Sequence, residues 1–127
     1  MSDEKKIKVM ILDDDHLLID MYSMKFESQG FEVMKVSSTD ECLDQLRDGA
    51  NPNILVMDMV MPGDGGIGLL KKIREEELSK DSKILVLSNQ SQNSEIEEAE
   101  KYNIDGYVIK AESTPTEVVD KVKKILE

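Results

Sequence analysis

Ile54-Leu55-Val56-Met57-Asp58 is a run of four apolar residues closed by one carboxylate. Four apolar residues in succession leave no polar face. A strand made of them must be covered on both sides, as in a parallel sheet. The form recurs in both directions along the chain. Ile84-Leu85-Val86-Leu87 is apolar throughout, and Ile7-Lys8-Val9-Met10-Ile11-Leu12 nearly so. Phe31-Glu32-Val33-Met34-Lys35-Val36 alternates with period two, and Gly106-Tyr107-Val108-Ile109 is the last short run.

Helical patterns fill the spaces between these runs. Leu17, Leu18, Met21 and Met24 recur at helical spacing, with Gly30 just beyond. Ser38 and Glu41 form a capping box before Cys42, Leu43 and Leu46, and Gly49 marks the stop. Ile67, Leu69, Leu70 and Ile73 mark a third helix, and Ser94 with Glu97 opens a shorter fourth. Thr114-Pro115-Thr116-Glu117 combines a cap, a first-turn proline and a glutamate three residues after the cap. Val118, Val119, Val122, Ile125 and Leu126 give that fifth helix its apolar face. Most of the eight methionines fall in these stripes or beside strand ends, and core filling is their expected role. Five β-α units in alternation predict an α/β fold: a parallel sheet with right-handed crossovers and helices on both faces.

Composition bounds the function. A length of 127 residues fits a single domain over residues 1–127, with no linker and no output domain expected. With 27 acids against 16 bases the formal charge is −11, which argues against direct nucleic-acid binding. Cys42 is the only cysteine, so an intrachain disulfide and a cysteine zinc site are excluded, and a small core residue is the better reading. No apolar run approaches the roughly 20 residues that span a bilayer, and the first residues lack a signal-peptide core. A cytoplasmic protein without membrane contact is expected, where the Asn89-Gln90-Ser91 sequon is a chance match.

In an open parallel sheet, ligands bind beyond the carboxyl ends of the strands. The residues there are Asp13, Asp14 and Asp15 after the first strand, Asp58 after the third, Ser88 after the fourth and Lys110 after the fifth. Converging carboxylates repel, and a hard divalent cation with oxygen ligands, Mg²⁺ above all, fits them. Asp13-Asp14-Asp15 is not an EF-hand start, because Leu18 stands where that loop needs glycine. Carboxylate, Mg²⁺, lysine and hydroxyl at one edge make a phosphoryl-transfer site. Singly, each residue reads as a cap, a turn or solvated charge; the coincidence of all four carries the functional reading.

Over nearly its whole length the sequence resembles the receiver domain of bacterial two-component response regulators, including the single-domain chemotaxis type. The motifs are Ile11-Leu12-Asp13-Asp14-Asp15, the run from Val56 to Gly66, Leu69-Leu70-Lys71-Lys72-Ile73-Arg74, Leu85-Val86-Leu87-Ser88-Asn89 and Gly106-Tyr107-Val108-Ile109-Lys110-Ala111. The resemblance implies a doubly wound, flavodoxin-like sheet of order 2-1-3-4-5 flanked by five helices. It implies Asp58 as phosphoacceptor from a histidine of a sensor kinase or phosphotransfer protein. Asp13, Asp14, Asp58 and the backbone carbonyl of Val60 would hold Mg²⁺, and Lys110 would pair with phosphoryl oxygens. Ser88 and Tyr107 would switch a face made of the fourth helix, fifth strand and fifth helix toward a downstream protein. Val60, Asn89 and Gln90 occupy rate-tuning positions.

The chain departs from the family pattern in three places. Asp64 stands for an apolar residue and Gly65 for an acid, which predicts a more flexible loop with added charge. Asn89 follows the switch hydroxyl where alanine is usual. Ala111 replaces the proline after the lysine, so the Lys110–Ala111 bond is expected to be trans with a shifted loop, or cis and strained. His16, the only histidine, reads as an exposed loop or cap residue. The chain is expected to catalyse only its own phosphorylation and dephosphorylation, as a monomer or a phosphorylation-dependent homodimer. Two other readings compete. One is a non-phosphorylated receiver-like scaffold. The other is an aspartate-nucleophile phosphatase, disfavoured because Val60 stands where its general acid belongs.

Overall fold

A computed structural model describes residues 6–59, 65–88 and 93–127. Five strands form one parallel sheet: β1 (Lys8–Leu12), β2 (Glu32–Val36), β3 (Ile54–Asp58), β4 (Lys83–Ser88) and β5 (Gly106–Ile109). Their order is β2-β1-β3-β4-β5, as expected. The helices are α1 (His16–Ser28), α2 (Thr39–Arg47), α3 (Gly65–Glu75), α4 (Asn93–Glu100) and α5 (Pro115–Leu126). β3 is buried at every position, whereas the edge strands β2 and β5 are only partly covered.

Strand alternation divides the core in two. Met10, Leu12, Leu55, Met57, Ile84 and Val86 meet Cys42, Leu43 and Leu46 of α2 and Leu69, Leu70 and Ile73 of α3 on one face. Val9, Ile11, Ile54, Val56, Leu85 and Leu87 meet α1 and α5 on the other. Burial pushes the Cys42 thiol up to about 12, with Glu41 adding to it, so this cysteine is a buried neutral thiol as read.

The stop signals work through glycine. After α1, Gly30 takes φ +91°, the Gly30 N–H reaches Glu27 O and the Phe31 N–H reaches Phe26 O. This is a Schellman turn, and the Phe26 and Phe31 rings close it edge-to-face at 5.1 Å. Gly49, at φ +105°, closes α2 in the same way. The capping box at α5 forms fully. At α2 the Ser38 hydroxyl accepts from the Glu41 N–H, but the Glu41 carboxylate accepts from Ser37 N–H, one residue before the cap.

Helix α1 corrects the sequence reading. The buried face is Ile19, Tyr22, Ser23 and Phe26. Leu17, Met21 and Met24 are 70%, 44% and 71% exposed, so three of the four residues in the stripe read as core face outward, and only Leu18, half-buried, packs against the core. The cause is packing: Ile19, Tyr22 and Phe26 meet Val9, Ile11 and the apolar face of α5, while Asp15 caps the helix, accepting from the N–H groups of Leu17 and Leu18. His16 is exposed at the first helical position.

Ser23 gives a stability prediction. Its hydroxyl is buried and, among the described residues, makes no hydrogen bond. A buried unmet hydroxyl costs about 1–3 kcal/mol, and alanine is also the better helix former. Ser23→Ala is expected to stabilise the fold by about 1 kcal/mol, raising the thermal midpoint by about 3–6 °C. Circular dichroism melts check it, and a lowered midpoint counts against the unmet hydroxyl.

Candidate functional site

The carboxyl ends of β1, β3 and β5 meet at one cleft of about 520 Å³. Its walls include Asp13, Asp14, Asp58 and Lys110. The three consecutive acids have three different environments. Asp13 is fully buried, its Oδ1 accepting from the Asp15 N–H at 2.9 Å. Asp14 is exposed. Asp15 spends its side chain on the α1 cap.

Asp58 closes β3 and is 3% exposed. Lys110 Nζ donates to Asp13 Oδ2 at 2.8 Å and to Asp58 Oδ2 at 3.2 Å. One ammonium therefore bridges two buried carboxylates. Burial pulls the Lys110 pKa down, but the hydrogen bond to Asp13 and the charges of Asp58 and Asp13 outweigh it, and the net direction is up. Lys110 stays charged throughout the neutral range.

Carboxylate oxygens of Asp13, Asp14 and Asp58 lie within 4.8 Å of one another, close enough to share a metal ion. At that separation and an effective dielectric of about 20, each pair repels by roughly 3.5 kcal/mol. One lysine neutralises one of the three charges. The remaining surplus, with oxygen-only donors, fits a hard divalent cation.

Ser88 ends β4 and is fully buried; it sits at the same sheet edge but is not part of the cleft wall. Tyr107 lies on β5, beside Val86 of β4, and is 43% exposed. Lys110–Glu112 form a single 3-10 turn, and the Lys110–Ala111 bond is trans, not the strained cis form. Val60, Asn89, Gln90 and Asp64 lie outside the described residues. Tyr22 lines the cleft and was missed, although Ile19, Tyr22 and Phe26 carry a second apolar stripe at helical spacing.

Two glycines shape the junction after Asp58. Gly65, in the place of the family's acid, takes φ +67°, which favours glycine. Gly66 N–H donates to Met59 O, and a Cβ on Gly66 would stand 2.8 Å from Met59 Cα and 3.2 Å from Asp58 O. Backbone cannot yield as a side chain can. Gly66→Ala is expected to cost about 1–3 kcal/mol, seen as a lower urea midpoint at unchanged m-value.

Residues 9–123 match the model of the response regulator receiver domain family. The phosphate regulon transcriptional regulatory protein PhoB of Rhizobium meliloti is 29% identical over 119 residues, which cover 94% of this chain and 52% of that protein. The chain thus spans about half the length of the first curated relatives it matches. The chemotaxis protein CheY of Pseudomonas aeruginosa is 30% identical over 122 residues, covering 95% of this chain and 97% of that one. A putative response regulator from Chloroflexus aurantiacus superposes with TM-score 0.85 at 31% identity, over 96% of this chain and 98% of that one. The Vibrio cholerae chemotaxis response regulator CheY4, at 22% identity and TM-score 0.86, covering 96% and 100%, shares the fold.

Proposed function

The chain belongs to the response regulator receiver domains of two-component systems, and on that basis we propose that Asp58 accepts a phosphoryl group from a partner kinase's phosphohistidine. The carrying observation is Lys110 held between the buried carboxylates of Asp13 and Asp58. An Asp58 oxygen attacks phosphorus, the new O–P bond forms as the P–N bond breaks, and the electron pair leaves on the imidazole. Negative charge then lies on the phosphoryl oxygens, within reach of the ammonium that Asp58 already holds. The chemistry is mostly charge stabilisation at a fixed position.

Asp13, Asp14 and Asp58, with the Val60 carbonyl, are the proposed Mg²⁺ ligands. When bound, the ion offsets their mutual repulsion and the charge developing on the phosphoryl group. Ser88 is the proposed hydroxyl that bonds the phosphoryl group, and Tyr107, now exposed on the neighbouring strand, the ring that turns inward. Asn89 and Gln90 would set the lifetime of the acyl phosphate. The output is a changed face of α4, β5 and α5 toward a downstream protein. Beyond turning its own phosphorylation over, the chain is not an enzyme in this reading.

The donor side has a surface to meet. Met21 lines the cleft, and Leu17 and Met24 continue an exposed apolar stripe from it along α1. Among the described residues no helix is long and apolar enough to cross a membrane. The proposed site of action is the cytoplasm, where sensor kinases present their phosphohistidine.

The test is incubation with Mg²⁺ and acetyl phosphate, read by intact mass. One added phosphoryl group, lost when Mg²⁺ is chelated, is expected. No mass gain at saturating Mg²⁺ would leave the scaffold reading in its place.

A further inference from the structure

Tyr22 is a phenol where an aliphatic side chain would satisfy the packing. It sits on the buried face of α1 and is 4% exposed. Its ring joins the cluster of Val9, Ile11, Phe26 and Val118. Yet Tyr22 also lines the cleft with Asp13, Asp58 and Lys110. Of the three α1 residues in that wall, Leu18, Met21 and Tyr22, only Tyr22 carries a hydrogen-bond donor.

Among the described residues the Tyr22 hydroxyl makes no hydrogen bond. Ser23 Oγ alone is a buried side-chain atom without a partner among the described residues, so the Tyr22 hydroxyl, unpaired by protein, is open to the cleft. The carboxylates of the same wall carry other contacts: Lys110 holds one oxygen each of Asp13 and Asp58, and the Asp15 N–H holds the other oxygen of Asp13. A rigid donor is thus aimed at an anionic cleft with its own capacity unspent.

We infer that Tyr22 is a further ligand-binding residue of this cleft, its hydroxyl donating to an oxygen that arrives with the ligand. That oxygen belongs either to water carried by the divalent cation or to the phosphoryl group. The inference rests on the phosphoacceptor reading. Burial raises the Tyr22 pKa above its usual value, against the Lys110 charge and with those of Asp13 and Asp58, so the phenol remains a donor through neutral pH. Its ring is already fixed by the core, so little side-chain freedom is lost when the bond forms.

The test titrates the parent and Tyr22→Phe by calorimetry, with Mg²⁺ alone and with Mg²⁺ plus beryllofluoride as phosphoryl mimic. Phenylalanine keeps the ring and removes only the hydroxyl, so the ligand-free thermal midpoint is expected to hold or rise. Affinity is expected to fall by about 3- to 10-fold. A loss with Mg²⁺ alone assigns the acceptor as cation-borne water, and a loss only with beryllofluoride assigns it as a phosphoryl oxygen. Equal affinities of parent and variant in both arms overturn the inference and leave the phosphoacceptor reading standing. A parent that binds neither probe overturns both.

Discussion

Asp58→Asn is expected to fold, to melt at a higher temperature than the parent without metal, and to take up no phosphoryl group from acetyl phosphate. Asparagine keeps the shape and removes the nucleophilic charge. Uptake should fall by more than about 100-fold, the scale on which losing one reacting group acts. The stability gain follows from the charges. The parent crowds three carboxylates around one ammonium. Removing one leaves Lys110 paired with Asp13 at 2.8 Å and Asp14 exposed. The repulsion relieved, several kcal/mol per pair at an intermediate dielectric, exceeds the loss of the longer 3.2 Å contact. A net gain of about 1–2 kcal/mol is expected. Intact mass reads the first effect and metal-free melts the second. Equal labelling of parent and variant would sink the assignment of Asp58. Added Mg²⁺ should stabilise the parent more than the variant, because ligand binding stabilises in proportion to affinity.

The sheet was legible because its strands are short and apolar on both faces, a pattern with few solutions. Reading the residue after each strand then found Asp13, Asp58 and Lys110, since topology alone decides which strand ends share an edge. Where tertiary packing chooses between two patterns, the sequence was less decisive. In α1 the Leu17, Met21, Met24 stripe is as apolar as the Ile19, Tyr22, Phe26 stripe, and only packing against the sheet decides which is buried. The three consecutive acids likewise read as one feature, though only the fold separates the buried acid, the exposed acid and the helix cap. Ser88 was read at the end of β4, where it lies, but its complete burial was not legible in the sequence. Tyr22 was missed for the same reason that α1 was misphased.

Lys110→Met is the substitution expected to cost most. Methionine matches the stem's length and apolarity, so the change is chiefly the loss of charge. Asp13 and Asp58 are then buried side by side with no cation between them. Breaking a buried pair by removing one partner costs about 3–5 kcal/mol, a large share of the stability of a domain this size. Two consequences separate this cause from simple loss of packing. Mg²⁺ should restore much of the lost stability, because a divalent ion can meet the same carboxylates. Alkali should narrow the gap between variant and parent: the Lys110 pKa is raised by folding, so its contribution is complete below the ordinary lysine pKa of about 10.4 and is lost only as pH rises through the higher folded value. Phosphoryl uptake should slow by about 100-fold even when Mg²⁺ has restored the fold, because the donor aimed at the phosphoryl oxygens is gone. Urea titrations from neutral to alkaline pH, with and without Mg²⁺, measure both. A gap that ignores both pH and metal would mean that Lys110 serves the core through its stem and not through its charge.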